Sequence, residues 1–149
     1  MFTADLTEQK WQCYVSSRVK EAVITNDPKA VGLAYIEGCS RKDFDRVAEL
    51  LAPDIRFEGP GNTVTGAAPY LAVLRRIGTV WVRSDVRKVF VDGSDVCVIY
   101  DFVTDTAAGA VPVVEWLRVD GGRIASVHLF FDRVSFKPAS EEVARRGAK

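Results

Sequence analysis

The sequence predicts an α+β domain. Apolar residues recur at helical spacing through its first half, alternate at strand spacing through its second, and glycines beside acidic residues punctuate the strands at hairpin intervals. Helices gathered ahead of a run of antiparallel strands must cover one face of the sheet they precede, which is the α+β arrangement. With 149 residues, 48% of them hydrophobic, the chain has material for one core and too little for two ordinary domains.

The elements follow in order. From Leu6 to Ile24, residues Trp11, Tyr14, Val15, Val19, Ala22 and Val23 mark one apolar helical face, and this first helix ends near Thr25. Asp27 before Pro28 sets a carboxylate at the N-cap and a proline at the first helical position, opening a second helix through Leu33, Tyr35 and Ile36 that Gly38 closes. Ser40 or Asp43 caps a third, short helix whose stripe is Phe44, Val47, Leu50 and Leu51, and Pro53 stops it. Asp54 to Glu58 alternates as a short strand that Gly59, Pro60 and Gly61 break. A helix from about Ala67 to Ile77 turns Leu71, Leu74 and Ile77 inward and Arg75 and Arg76 outward. Extended segments then run over about 79 to 91, 95 to 105, 110 to 119 and 123 to 136. Asp92-Gly93, Ala107 to Gly109 and Asp120-Gly121-Gly122 supply the turns between them. The charged tail is expected to fray.

Charge narrows the partners. Twenty basic and twenty acidic side chains cancel, which leaves no electrostatic case for nucleic acid or an anionic membrane and favours a neutral, small apolar molecule or another protein surface. Cys13, Cys39 and Cys97 are scattered, odd in number and without a CxxC pair or histidine neighbour, so they read as reduced core thiols rather than disulfides or metal ligands. No cofactor motif is present. GPGNTVTG at 59 to 66 lacks the lysine of a phosphate loop and reads as a rim loop. The charged N-terminus and the lack of an apolar run of about 18 residues predict a cytoplasmic chain with no membrane span.

Two segments, AYIEGCSRKDFDRVAELLAPDIRFEGPG at 34 to 61 and LRVDGGRIASVHLFFD at 117 to 132, resemble the opening and closing parts of the nuclear transport factor 2-like superfamily, in particular its SnoaL-like and ketosteroid isomerase-like branch. The resemblance covers about residues 28 to 136. It implies a conical barrel in which a curved antiparallel sheet wraps around N-terminal helices, a cavity between sheet and helices, and a homodimer contact on the outer sheet face. On this reading 1–26 is a helical extension, 27–137 the cone and 138–149 the charged tail.

Glu115 stands out within that frame, because ionising a carboxylate in an apolar strand is costly unless it is paired or protonated. If Glu115 faces the cavity, so do Val113 and Leu117, while Val114, Trp116 and Arg118 face outward. Matching across the turn puts Val127, Leu129 and Phe131 inward and His128, Phe130 and Asp132 outward, unless a β-bulge exchanges the sets. The alternative for Glu115 is an ion pair with Arg118 or Arg133 at an interface.

The resemblance to the isomerases places Tyr35 where they hold an oxyanion-stabilising tyrosine and Glu115 where they hold a protonated acid, kept neutral by its apolar surroundings so that it can donate a hydrogen bond. Their proton-abstracting aspartate falls at Gly59, and Glu58 alternates to the other face. Limonene epoxide hydrolases need an aspartate, arginine and aspartate set, whose positions here fall at Leu129 and around Tyr100 to Phe102. Asp101 restores part of that set only in another register. Scytalone dehydratase needs two pocket histidines, and this chain has only His128.

The candidate reagents are therefore Glu115, Tyr35, Tyr100, His128 as a general base, and Asp132. Phe57, Trp81, Phe102, Val113, Leu117, Val127, Leu129 and Phe131 are the candidate walls. Two functions are open: a cofactor-independent isomerase, cyclase or dehydratase working by acid and base, or a noncatalytic ligand-binding or dimeric assembly module.

Overall fold

The computed structural model describes residues 26–147. The helix expected over 6 to 24, and with it almost all of the N-terminal extension, lies outside the described residues. The first described helix, α1 (Pro28–Ser40), starts as the Asp27-Pro28 pair predicts, with the Asp27 side chain accepting from the Lys29 amide at 3.2 Å. Gly38 does not close it. Gly38 lies inside the helix, where a Cβ would stand 2.8 Å from Val47 Cγ2, so the glycine permits close packing on α2 (Phe44–Leu50). The turn between the two helices uses Lys42 at a positive φ of 61°.

Leu51 and Pro53 belong to β1 (Leu51–Gly59) rather than to the end of a helix. The segment expected as a rim loop forms a second strand, β2 (Asn62–Thr65), paired with β1 through Phe57↔Val64 and Gly59↔Asn62. After α3 (Ala67–Gly78) come β3 (Trp81–Asp92), β4 (Asp95–Thr104), β5 (Ala110–Asp120), β6 (Arg123–Phe131) and α4 (Arg133–Gly147).

The sheet order is β2-β1-β6-β5-β4-β3. The hairpins of β3 to β6 are antiparallel as expected, but β1 joins β6 in parallel, so the sheet is mixed. Register shifts in β3 and after Arg118 are irregularities of the kind that bend a sheet. Helix α1 lies across the concave side, where a Cβ on Gly32 would meet Val96 and Leu117 at 3.1 and 3.2 Å. Val31, Tyr35 and Cys39 of α1 are buried with Val98, Leu117, Ile124 and Val127 of the sheet.

The C-terminal part differs from expectation in two ways. The last strand stops at Phe131 rather than 136, and the tail expected to fray is helical to Gly147. Phe136, Ala139 and Val143 form its inward stripe, and Arg146 ties it down by donating to the Thr79 carbonyl and pairing with Asp105 at 3.1 Å. Asp132 caps this helix: its carboxylate accepts from the Val134 and Ser135 amides at 3.1 and 3.2 Å, and its carbonyl accepts from Phe136. Asp132→Ala should therefore speed amide exchange in the first turn of α4 roughly fivefold. Exchange along β5 should stay as it is, which hydrogen-exchange NMR resolves residue by residue.

Candidate functional site

Strand β5 alternates, with Val111, Val113, Glu115, Leu117 and Val119 buried and the residues between them more exposed, so period-two geometry turns Glu115 into the concave side. There it is 3% exposed. Three tyrosines from three other elements converge on it. Tyr35 of α1 donates to Glu115 Oε1 at 3.0 Å, and Tyr100 of β4 donates to Oε2 at 2.8 Å. Tyr70 of α3 is hydrogen-bonded to the Tyr35 hydroxyl.

Burial raises the Glu115 pKa to about 7, and the bonds from Tyr100 and Tyr35 pull against that rise. Burial, and then the neighbouring Glu115 charge, push all three phenols well above their ordinary range. Cys39, one turn along α1 from Tyr35, has its thiol raised by burial and then by the Glu115 charge, against a smaller downward pull from Tyr35.

The cluster's protons set what it can do. A phenol has one proton to give. When Glu115 is ionised, Tyr35 and Tyr100 both donate to it and Tyr70 donates to Tyr35, so three protons fill three bonds and none is left. When Glu115 is protonated the same three bonds share four protons. One is then free for an oxygen in the cavity.

Beside the cluster lies a cavity of about 140 Å³. Its walls are aromatic: Phe57 stacks on Tyr70 at 4.9 Å, and Trp81 meets Phe102 at 4.6 Å. The Trp81 indole N–H donates to Ser84 at 3.1 Å, so this wall presents an apolar surface. Val113, Leu129 and Phe131 complete the sheet side, and exposed Asn62 with Pro60 forms the rim.

Of the sequence candidates, Glu115, Tyr35 and Tyr100 are thus brought together. Phe57, Trp81, Phe102, Val113, Leu129 and Phe131 line the cavity with them. Leu117 and Val127 point inward as expected but are fully buried beneath α1 and do not line it. His128 lies on the outer face, bonded to Glu58 and edge-on to Trp116 at 5.2 Å. Asp132 is the cap of α4, and Asp101 pairs with Arg87 at 3.0 Å. Among the described residues no three metal-ligating side chains converge.

Tyr70 was not among the sequence candidates. Its signal was present, since Tyr70, Leu74 and Ile77 repeat at four and three and form the stripe of α3 that lines the cavity.

The model of the SnoaL-like domain matches residues 33–127. No curated protein matches the chain. Among solved structures, an NTF2-like protein of unknown function from Cytophaga hutchinsonii has 22% identity and a TM-score of 0.65, over 74% of this chain and 94% of that one. A Kribbella flavida protein provisionally named ketosteroid isomerase has 24% identity and a TM-score of 0.64, over 72% and 79%. TerC, co-crystallised with polyporic acid, has 20% identity and a TM-score of 0.66, over 76% and 98%. These likenesses carry the fold, and the domain match covers more than half of the sequence. The curved α+β cone, the helices that fill it and the matched segment together make this chain a member of the SnoaL-like domain family, on the NTF2-like fold.

Proposed function

We propose that the cavity binds a small apolar ring compound through one carbonyl or hydroxyl oxygen, and that Glu115, Tyr35 and Tyr100 polarise that oxygen for a cofactor-independent isomerisation, cyclisation or dehydration. The observation that carries this reading is the buried acid with two phenol donors at one end of an apolar cavity. A carboxyl with a pKa of about 7 is matched to general acid and base work near neutral pH. Having given its proton to the substrate oxygen, Glu115, the one carboxylate lining the cavity among the described residues, takes a proton back from the ring carbon that the polarised oxygen has acidified. It therefore serves as acid and base in turn. That TerC was co-crystallised with polyporic acid supports a small-molecule role for the cone.

The second reading, a noncatalytic binding module, is favoured by Gly59. This residue lines the cavity where the isomerase-like branch holds its base, while Glu58 points to the outer face with His128. In either case we propose a homodimer through that face, where Trp116 and Phe130 are 44% and 54% exposed. The free thiols Cys39 and Cys97 suit the cytoplasm as its compartment. No helix among the described residues is long and apolar enough to cross a membrane.

The test compares 2-cyclohexenone with cyclohexene by calorimetric titration at pH 6. The ketone should bind at least tenfold more tightly, and raising the pH to 9, which ionises Glu115, should remove most of that difference. Equal binding of the two by the parent protein would end the oxygen-recognition reading. Tyr100→Phe adds a second check. It deletes a bond that holds the Glu115 pKa down, so the pH at which ketone binding is half lost should move upward.

A further inference from the structure

The strand register gives the cavity two ends. On β5, Glu115 stands opposite Leu129 of β6, Val113 stands opposite Phe131 of β6 and Tyr100 of β4, and Val111 stands opposite Phe102 of β4. Two residues along a strand are about 7 Å, so Phe131 lies one such step from the carboxyl and Phe102 two. Phe136 packs edge-on against both, at 4.9 and 5.9 Å. It lines the cavity, yet it sits on α4 and is only partly buried, so its ring separates the apolar end from solvent. The helix that carries it is fixed at both ends, by the Asp132 cap and by Arg146 on Thr79 and Asp105. This segment lies beyond the residues that the SnoaL-like domain matches, so the stop is not a feature of the matched core.

We propose that Phe136 is the specificity-determining residue of this site, a stop at the end remote from Glu115 that limits the ligand to a single six-membered ring. The volume agrees, since about 140 Å³ is close to the cavity of about 150 Å³ that takes one benzene. A second fused ring, laid along the strands away from the carboxyl, meets the Phe136 ring. The inference rests on reading the cavity as a ligand site, but it does not depend on how the ligand's oxygen is held.

For that reason the test uses hydrocarbons. Benzene and naphthalene are titrated into the full chain, with binding followed by NMR shifts of the cavity residues and folding checked by circular dichroism. The parent protein should favour benzene at least tenfold, although naphthalene is the more hydrophobic. Phe136→Ala should reverse the order to at least tenfold in favour of naphthalene, with Phe136→Leu intermediate. Should Phe136→Ala fail to fold, Phe136→Leu carries the same comparison. A parent protein that binds naphthalene as well as benzene, or binds neither, overturns the proposal, as does an unchanged ratio in the folded variants. Loss of the cyclohexenone preference with the size shift intact would sink oxygen recognition and leave Phe136 as the stop.

Discussion

Glu115→Gln is expected to flatten two pH profiles at once. The first is ligand binding. With a Glu115 pKa of about 7, only about one molecule in a hundred keeps the spare proton at pH 9, so the affinity for 2-cyclohexenone should fall about 100-fold between pH 6 and pH 9. In Glu115→Gln the amide oxygen still accepts from Tyr35 while the amide nitrogen donates to the Tyr100 oxygen, which frees the Tyr100 proton for the ligand at every pH. Its affinity should therefore change less than threefold over the same range, while turnover is lost because an amide cannot pass a proton. The second profile is stability. In the unfolded chain Glu115 ionises near 4.5 and in the fold near 7. Between those values the fold holds a proton that the unfolded chain has released, so stability falls as pH rises through that window. The contribution is complete below about pH 4.5 and gone above about pH 7, a loss of roughly 3 kcal/mol. Urea denaturation at pH 5 and pH 8 should show the parent weakening relative to Glu115→Gln by about that amount. Parallel profiles for the two proteins would show that Glu115 does not titrate in this range.

Much of this site was legible because it sits on regular elements. The Asp27-Pro28 start places Tyr35 on a buried helix face, and alternation through the Asp120-Gly121-Gly122 turn separates Glu115 from His128 without any structure. The misreadings have physical causes. Gly38 and Pro53 are helix terminators in general, yet here one allows a close helix contact and the other sits in a strand. The parallel β1–β6 pairing brings together segments more than sixty residues apart, which local periodicity cannot register. The final helix was hidden because its apolar stripe is only Phe136, Ala139 and Val143 among exposed charges. Leu117 and Val127 were grouped with the cavity because alternation gives the face of a residue but not its depth.

That depth decides how Leu117→Ala should behave. The Leu117 side chain is fully buried directly beneath α1, with its Cδ1 3.2 Å from where a Gly32 Cβ would stand. Its neighbour Val96 is also fully buried, and a β-branched side chain does not swing into a void. The site therefore collapses poorly, and the loss should fall at about 3 kcal/mol within the range of about 2–5 for buried leucine to alanine. Denaturant titration measures it directly. Because Leu117 does not line the cavity, the folded variant should bind 2-cyclohexenone within about twofold of the parent. Leu129→Ala should show the converse. Leu129 lines the cavity and is only partly buried, so its removal should cost little more than about 1 kcal/mol of stability while changing which ligands bind. A Leu117→Ala protein with intact stability and altered ligand preference would place Leu117 in the cavity wall after all, because only a side chain in contact with the ligand changes preference without loosening the sheet under α1.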